Sequence, residues 1–372
     1  MELSLVNLAS VEITDFEDLS LNGLFLNYSH DTSDSLGGFV CPGALENHPE
    51  ATLKIFQKFI IPVVYSLVFL LGSLGNGLVL LILLRHNRTR STTDNFLLHL
   101  AVADLLMLIT FPFSVVESAY GWVFGNFMCK MVGVLSRLNF LCSSLLLGCI
   151  SVDRYLAIIH AVYSFRARGV LAVHLPCVGV WILCFLFSVP SLFFLGTVNN
   201  ENMTDCTYHQ SHFPSNAWWQ ANRFLNHVVG FLCPLFVMGF CYANIVAVLY
   251  KSKRREKRRA VKVAIVITGV FFMCWTPYNV VVLLDTLDQS GLLKSCMLQD
   301  HLPIAILLTE ILGSVHCCLN PILYAFVGVK FRNYALQVLQ RTGCLSSLGK
   351  IHTPDRKSSI MDSEAGTVLS SF

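Results

Sequence analysis

FIIPVVYSLVFLLGSLGNGLVLLILL, residues 59–84, runs for 26 positions without a charged side chain. About 20 apolar residues suffice to cross a bilayer as helix. Backbone polar groups in lipid must find partners inside their own segment, so the stretch predicts a membrane helix. Six further runs of the same kind follow, near Asn95–Val116, Met131–Val152, Val170–Leu195, Phe224–Tyr250, Val261–Leu284 and Leu302–Val327. The expected fold is an all-α membrane protein, a seven-transmembrane helix bundle.

Composition agrees. Only 13% of the 372 residues are charged, against roughly a quarter in a soluble domain, and the mean hydropathy is +0.62. The net charge of +3 conceals a segregation. The first 50 residues hold nine acidic side chains and no Lys or Arg. Alternate loops are basic: Arg85, Arg88 and Arg90, then Arg154, Arg166 and Arg168, then KSKRREKRRAVK at 251–262. The opposite loops offer only Lys130, Arg223 and Lys294. The bias of basic residues toward the cytoplasm predicts an outer N-terminus and an inner C-terminus, which an odd number of spans also requires.

The chain divides into an acidic extracellular tail (1–57), the bundle (58–328), a short cytoplasmic amphipathic eighth helix (329–344) and a Ser/Thr-rich tail (345–372). MELSLVNLAS lacks the basic and apolar regions of a cleaved signal, so the first span is read as an uncleaved anchor. Sequons at Asn27 and Asn202 fall on the outer side and are expected to be glycosylated; one at Asn87 lies on the inner side and is not. The basic 251–262 loop is read as a partner contact or as a binder of anionic membrane lipid. No nucleic-acid partner is expected.

Nine cysteines fall inside spans, where a thiol is usually a small apolar filler. Cys41, Cys129, Cys206 and Cys296 face the oxidising side, and four cysteines allow three pairings. The pairings chosen are Cys129–Cys206 and Cys41–Cys296; an even count argues against a free thiol. Cys344, past the seventh span, is a palmitoylation candidate.

Ionisable groups in lipid cost about 2.5–3.5 kcal/mol on the insertion scale, so each should face the bundle interior. Asp104 lies mid-span with Asn76, Asn139, Ser143 and Asn320 at similar depth. Two readings stand: a small monovalent cation held by the carboxylate, or a hydrated hydrogen-bond network. Glu117, Asp285 and Glu310 form an acidic rim at the outer end, and Arg137 is a cation in the same cavity. The rim is a pocket for a cationic ligand segment, or Arg137 pairs with Glu310 and steadies the bundle. Pro62, Pro112, Pro190, Pro234, Pro277 and Pro321 each delete a helical hydrogen bond and favour a hinge. Trp275, two residues before Pro277, sets a bulky ring against one of them.

Asn76 in GNGLVL, Asp104 in LAVAD, Asp153-Arg154-Tyr155, Trp181, Pro234 with Tyr242, CWTP at 274–277 and NPILY at 320–324 occur in order, one set per span. The set resembles the rhodopsin-like G-protein-coupled receptors. Thr110-Phe111-Pro112, GWVFG at 121–125, DRYLAIIHA at 153–161, His316-Cys317-Cys318 before LNP, and the Cys41/Cys296 pair resemble the chemokine-receptor branch, CXC receptors of B cells in particular. The resemblance covers residues 60–340.

It implies a non-enzymatic, multi-pass plasma-membrane receptor with no cofactor beyond an allosteric sodium ion at Asp104, Asn139 and Ser143. The activation switch would comprise Asp153, Arg154, Tyr155, Tyr242, Trp275, Pro277, Asn320, Pro321 and Tyr324. A CXC chemokine would contact Glu310, Glu117, Asp285, Arg137, Trp122 and Tyr28, with Tyr28 sulfation in competition with glycosylation at Asn27. The implied inner partners are an inhibitory-type heterotrimeric G protein, receptor kinases and arrestin. A ligand-scavenging receptor is the alternative within the branch, and the intact DRYLAIIHA argues against it. Repeat symmetry that would suggest a transporter is not visible in the sequence.

Overall fold

The computed structural model describes residues 56–85, 91–160, 170–199, 204–208, 216–251, 255–293 and 296–327. Seven helical spans long and apolar enough to cross a membrane run over Lys58–Arg85, Thr92–Tyr120, Gly125–Ile159, His174–Phe194, Gln220–Tyr250, Ala264–Gln289 and His301–Tyr324. In chain order the helices are α1 (Ile61–Arg85), α2 (Thr92–Leu108), α3 (Phe111–Tyr120), α4 (Gly125–Ile159), α5 (Val170–Phe194), α6 (Asn216–Asn226), α7 (Cys233–Lys251), α8 (Arg255–Gln289) and α9 (Cys296–Val327). A two-stranded antiparallel hairpin, β1 (Leu195–Asn199) and β2 (Thr204–Tyr208), follows α5.

The packing inverts the pattern of a soluble domain. Leu67, Leu70, Leu71 and Leu74 of α1 are exposed, while Asn76, Asp104, Asn139, Ser143, His316 and Asn320 are buried. That distribution fits a lipid solvent, which rewards apolar exterior groups and drives polar ones together inside. Leu100, Leu141, Leu146, Leu147, Ile150 and Phe271 fill the centre between them.

Prolines set the bends. The second span breaks between α2 and α3, where Pro112 cannot supply a backbone donor; the Thr110 hydroxyl instead bonds the Met107 carbonyl at 2.6 Å. Ahead of Pro234 the chain widens into a π-helical segment, His227–Leu232, that joins α6 to α7. Beside Pro277, the Asn279 side chain bonds the Trp275 carbonyl at 2.9 Å. A capping box of Ser91 and Asp94 fixes the start of α2.

The hairpin closes over one end of the bundle. Cys206 of β2 is disulfide-bonded to Cys129 of α4, and the Trp122 backbone N–H bonds the Thr204 carbonyl at 2.6 Å. Gly121 (φ 74°) and Gly125 (φ 76°) bracket that turn in the left-handed region, where a β-carbon is penalised. Hairpin and Arg154 lie at opposite ends of α4, and they name the two ends of the bundle below.

The sequence reading does not anticipate the hairpin. Asn27, Tyr28, Cys41, Asn87, Asn202, Cys344 and the 329–344 helix lie outside the described residues, as does the Cys296 side chain, and so the Cys41–Cys296 pairing.

Candidate functional site

Three clusters of polar side chains occur along the bundle. At the Arg154 end, Arg154 and Asp153 are salt-bridged, with Arg154 Nε 3.0 Å from Asp153 Oδ2. Thr93 on the first turn of α2 donates to the same Oδ2 at 3.1 Å, so one carboxylate holds the guanidinium while α2 holds the carboxylate. Tyr242 of α7 is committed elsewhere, its hydroxyl 3.3 Å from Thr268 Oγ1 on α8. The Tyr155 ring meets Phe240 of α7 at a tilt, centroids 5.8 Å apart. An apolar seal of Ile245, Leu249 and Val261, flanked by Tyr155, Ile158 and Ile265, packs α8 onto α7 and α4.

At mid-depth lies Asp104. Its carboxylate accepts amide N–H groups from Asn139 at 3.1 Å and Asn320 at 2.9 Å. His316 Nε2 is 3.5 Å away. Asn76, expected beside it, turns aside to bond the carbonyls of Gly72 and Cys317. Its N–H groups are thereby used within α1 and in one contact between α1 and α9. The Ser143 hydroxyl is buried with no hydrogen-bond partner among the described residues. The Asp104 carboxylate, oriented by Asn139, and the Ser143 hydroxyl are both buried oxygens of the kind a small hard cation takes.

Trp275 connects this level to the cavity above. Its ring is 5% exposed, meets Phe140 at a centroid distance of 4.8 Å and Tyr278 at 5.6 Å, and its indole N–H reaches His316 Nδ1 at 3.2 Å. Pro277, two residues further along α8, leaves the helix free to bend there. Pro321 and Tyr324 of α9 are buried immediately after Asn320.

Toward the hairpin end the expected acidic rim is only partly free. Asp285 of α8 pairs with Arg223 of α6 at 2.7 Å and accepts two bonds from Gln289. Glu117 of α3 interacts with the backbone of Cys206. Glu310 of α9 is half-buried, and its Oε2 is shielded from solvent without a hydrogen-bond partner among the described residues. The alternative pairing of Arg137 with Glu310 does not form. Arg137 donates instead to Asn226 at 3.2 Å and Ser191 at 3.5 Å, since its azimuth on α4 points at α5 and α6 rather than α9. Trp122, read as a ligand contact, is 3% exposed and packed with Cys129, Leu195, Phe113 and Phe124 under the hairpin.

The family described as 7 transmembrane receptor (rhodopsin family) matches residues 75–324. The chain belongs to that family. Within it, the receptor is 48% identical over 327 residues to the C-X-C chemokine receptor type 5 of Mus musculus, covering 86% of this chain and 87% of the relative. It is 45% identical over 369 residues to the type 5 receptor of Homo sapiens, covering 97% and 98%. To the C-X-C chemokine receptor type 3 of Bos taurus it is 43% identical over 334 residues, covering 90% of each. This places the receptor in the chemokine-receptor branch, a class of multi-pass plasma-membrane proteins that are not enzymes.

The receptor also contains site residues that the sequence did not single out. Thr93 steadies Asp153, Arg223 neutralises Asp285, and His99 accepts the Trp181 indole N–H at 3.1 Å to bind α5 to α2. Each pairs groups from different spans. Only a single signal pointed to any of them, the presence of Arg223 as one of three cations on the acidic side.

Proposed function

We propose that the receptor binds a CXC chemokine, the B-cell-attracting one in particular, and activates an inhibitory-type heterotrimeric G protein to drive chemotaxis. The N-terminus is extracellular in this reading, the hairpin end faces the ligand and the Arg154 end faces the cytoplasm. The observation that carries the reading is the Arg154–Asp153 ion pair, set at the far end of a bundle whose relatives are named for CXC chemokines over most of its length.

Chemokines are mostly basic, so the acidic tail speeds their encounter by electrostatic attraction. Sulfation of Tyr28 adds negative charge to that field, in competition with glycosylation at Asn27. The ligand's flexible terminus then enters the cavity and meets Glu310, whose Oε2 is shielded and uncommitted. A cationic group supplies the partner that Oε2 lacks, which makes the contact strong in a water-poor cavity. Glu117 lies in the same field. Asp285 becomes available only when it parts from Arg223, so binding there competes with a contact between α6 and α8.

Ligand contact near Trp275 biases α8 to swing at Pro277 and open the seal at Val261. Arg154 then exchanges Asp153 for the G protein, with Tyr242 and Tyr324 turning toward it while Asn320 and Pro321 let α9 adjust. Sodium, when bound at Asp104 and Ser143, supplies a positive charge that favours the resting arrangement. A ligand shifts such an equilibrium only by its differential affinity for the two states, a few kcal/mol. Phosphorylation of the Ser/Thr-rich tail by receptor kinases creates an anionic partner for arrestin. Palmitate on Cys344 anchors the segment after the seventh span to lipid.

The test exposes cells carrying the receptor to a panel of CXC and CC chemokines and records cyclic-AMP suppression and migration. One or more CXC chemokines should suppress cyclic AMP by activating the inhibitory G protein, and pertussis toxin, which blocks that protein, should abolish the suppression. Chemokine uptake without any such suppression would instead establish a scavenger.

A further inference from the structure

Asp104 of α2 and the adjacent His316 and Cys317 of α9 bring a carboxylate, an imidazole and a thiol together, each ligand atom within 4.8 Å of the others. All three side chains are at most 1% exposed. His316 Nε2 stands 3.5 Å from Asp104 Oδ1 and 3.8 Å from Cys317 Sγ.

The tautomer of His316 gives this cluster its meaning. Nδ1 is 2.6 Å from the Gly313 carbonyl. A carbonyl oxygen only accepts, so the ring proton belongs on Nδ1. The Trp275 N–H points at the same atom from 3.2 Å and would need a lone pair there. The shorter Gly313 contact decides for the proton, and the indole N–H is then left without an acceptor at Nδ1. Nε2 of the neutral ring therefore aims a lone pair at a carboxylate oxygen inside a dry core, where two acceptors facing one another are costly. Something positive belongs between them.

A proton would serve the imidazole and the carboxylate but makes no use of the sulfur. A tetrahedral zinc ion uses all three. Bond lengths of about 2.0–2.3 Å to oxygen, nitrogen and sulfur set tetrahedral ligand atoms about 3.3–3.6 Å apart, and the 3.5 and 3.8 Å observed lie within a few tenths of that. An imidazole whose second nitrogen donates to a backbone carbonyl is oriented as metal-binding histidines are. Ser143, one turn along the face of α4 that carries Asn139, holds a buried hydroxyl without a hydrogen-bond partner among the described residues.

We infer that Asp104, His316 and Cys317 form a zinc-binding site, sharing the Asp104 carboxylate with the proposed sodium site. Binding displaces the thiol proton to solvent and forms a zinc–thiolate bond. The carboxylate and thiolate then cancel the dication, so the filled site is neutral in the low-dielectric core. The metal joins α2 to α9 beside the Trp275 contact. The inference stands on these three side chains and does not depend on which extracellular ligand the receptor takes.

The full-length receptor, purified in detergent and stripped with a chelator, is given one equivalent of zinc chloride in sodium-free buffer. Zinc-edge X-ray absorption should show one sulfur at about 2.3 Å with nitrogen and oxygen near 2.0 Å, and the thermal midpoint should rise. Cys317→Ser should lose the sulfur contribution and most of the rise. Cys318→Ser should keep both, because Cys318 Sγ is bonded to the Val315 carbonyl instead. A wild-type shell with no sulfur, or with more than one, overturns the assignment whether or not the Cys317 variant folds. A shell that Cys317→Ser leaves unchanged overturns it equally.

Discussion

Arg223 and Asp285 form a 2.7 Å ion pair between α6 and α8 at the hairpin end, with their side chains only 13% and 7% exposed. Removing one partner strands the other charge where water reaches it poorly. Asp285→Asn should cost about 2–3 kcal/mol, somewhat below the value for a fully buried pair. Arg223→Gln combined with Asp285→Asn should recover part of the loss, because no lone charge remains. Thermal unfolding of the purified receptor measures both. Additive losses in the double variant would mean that the two residues act separately.

Arg154→Ala should leave chemokine binding largely intact and cut G-protein activation. Nucleotide exchange on the G protein, measured beside radioligand binding in the same membranes, separates the two. Normal exchange would remove Arg154 from the switch.

Thr93 holds Asp153 from the neighbouring helix. Hydrogen bonds to a charged group contribute about 1.5–3 kcal/mol. Thr93→Val should therefore loosen the Arg154–Asp153 pair and raise ligand-independent nucleotide exchange, on the order of tenfold if the resting state alone loses the bond. Unchanged basal exchange at equal surface expression would show that Thr93 only steadies α2.

A β-carbon at Gly313 would come within 2.9 Å of two Trp275 ring atoms. The ring must move, against the neighbouring rings of Phe140, Phe271 and Tyr278. Gly313→Ala should cost about 1–3 kcal/mol of stability, the usual range for forcing a methyl into a packed core, and should change the ratio of basal to agonist-driven signalling. Loss of expression without any change in that ratio would confine Gly313 to packing.

Cys129 and Cys206 close a loop with a sequence separation of 77 residues. The chain-entropy argument assigns such a cross-link about 4.5 kcal/mol. Cys129→Ser should release the hairpin, lower surface expression and abolish chemokine binding. Retained binding would show that the Trp122–Thr204 contact alone can hold β2.

Much of this arrangement was legible before any coordinates. Long apolar runs give the spans because lipid imposes a length and forbids unpaired backbone. Asp104, Asn139 and Asn320 stand out because a polar residue in lipid needs a partner, and they found one another. What failed to show was direction around each helix axis. Depth alone put Arg137 beside Glu310, yet its guanidinium faces Asn226 and Ser191. The same gap hid the Arg223–Asp285 pair, whose members sit in separate spans with nothing in either segment to announce the other. The hairpin was hidden for a different reason: LGTVN and TDCTY are short and lack the strict alternation that marks a half-buried strand.

The seal of Ile245, Leu249 and Val261 has a thermal consequence. Apolar cohesion weakens on cooling, and hydration of a guanidinium and a carboxylate grows more favourable as temperature falls, so the ion pair loosens as well. In a cold sample both closures at the Arg154 end would slacken together.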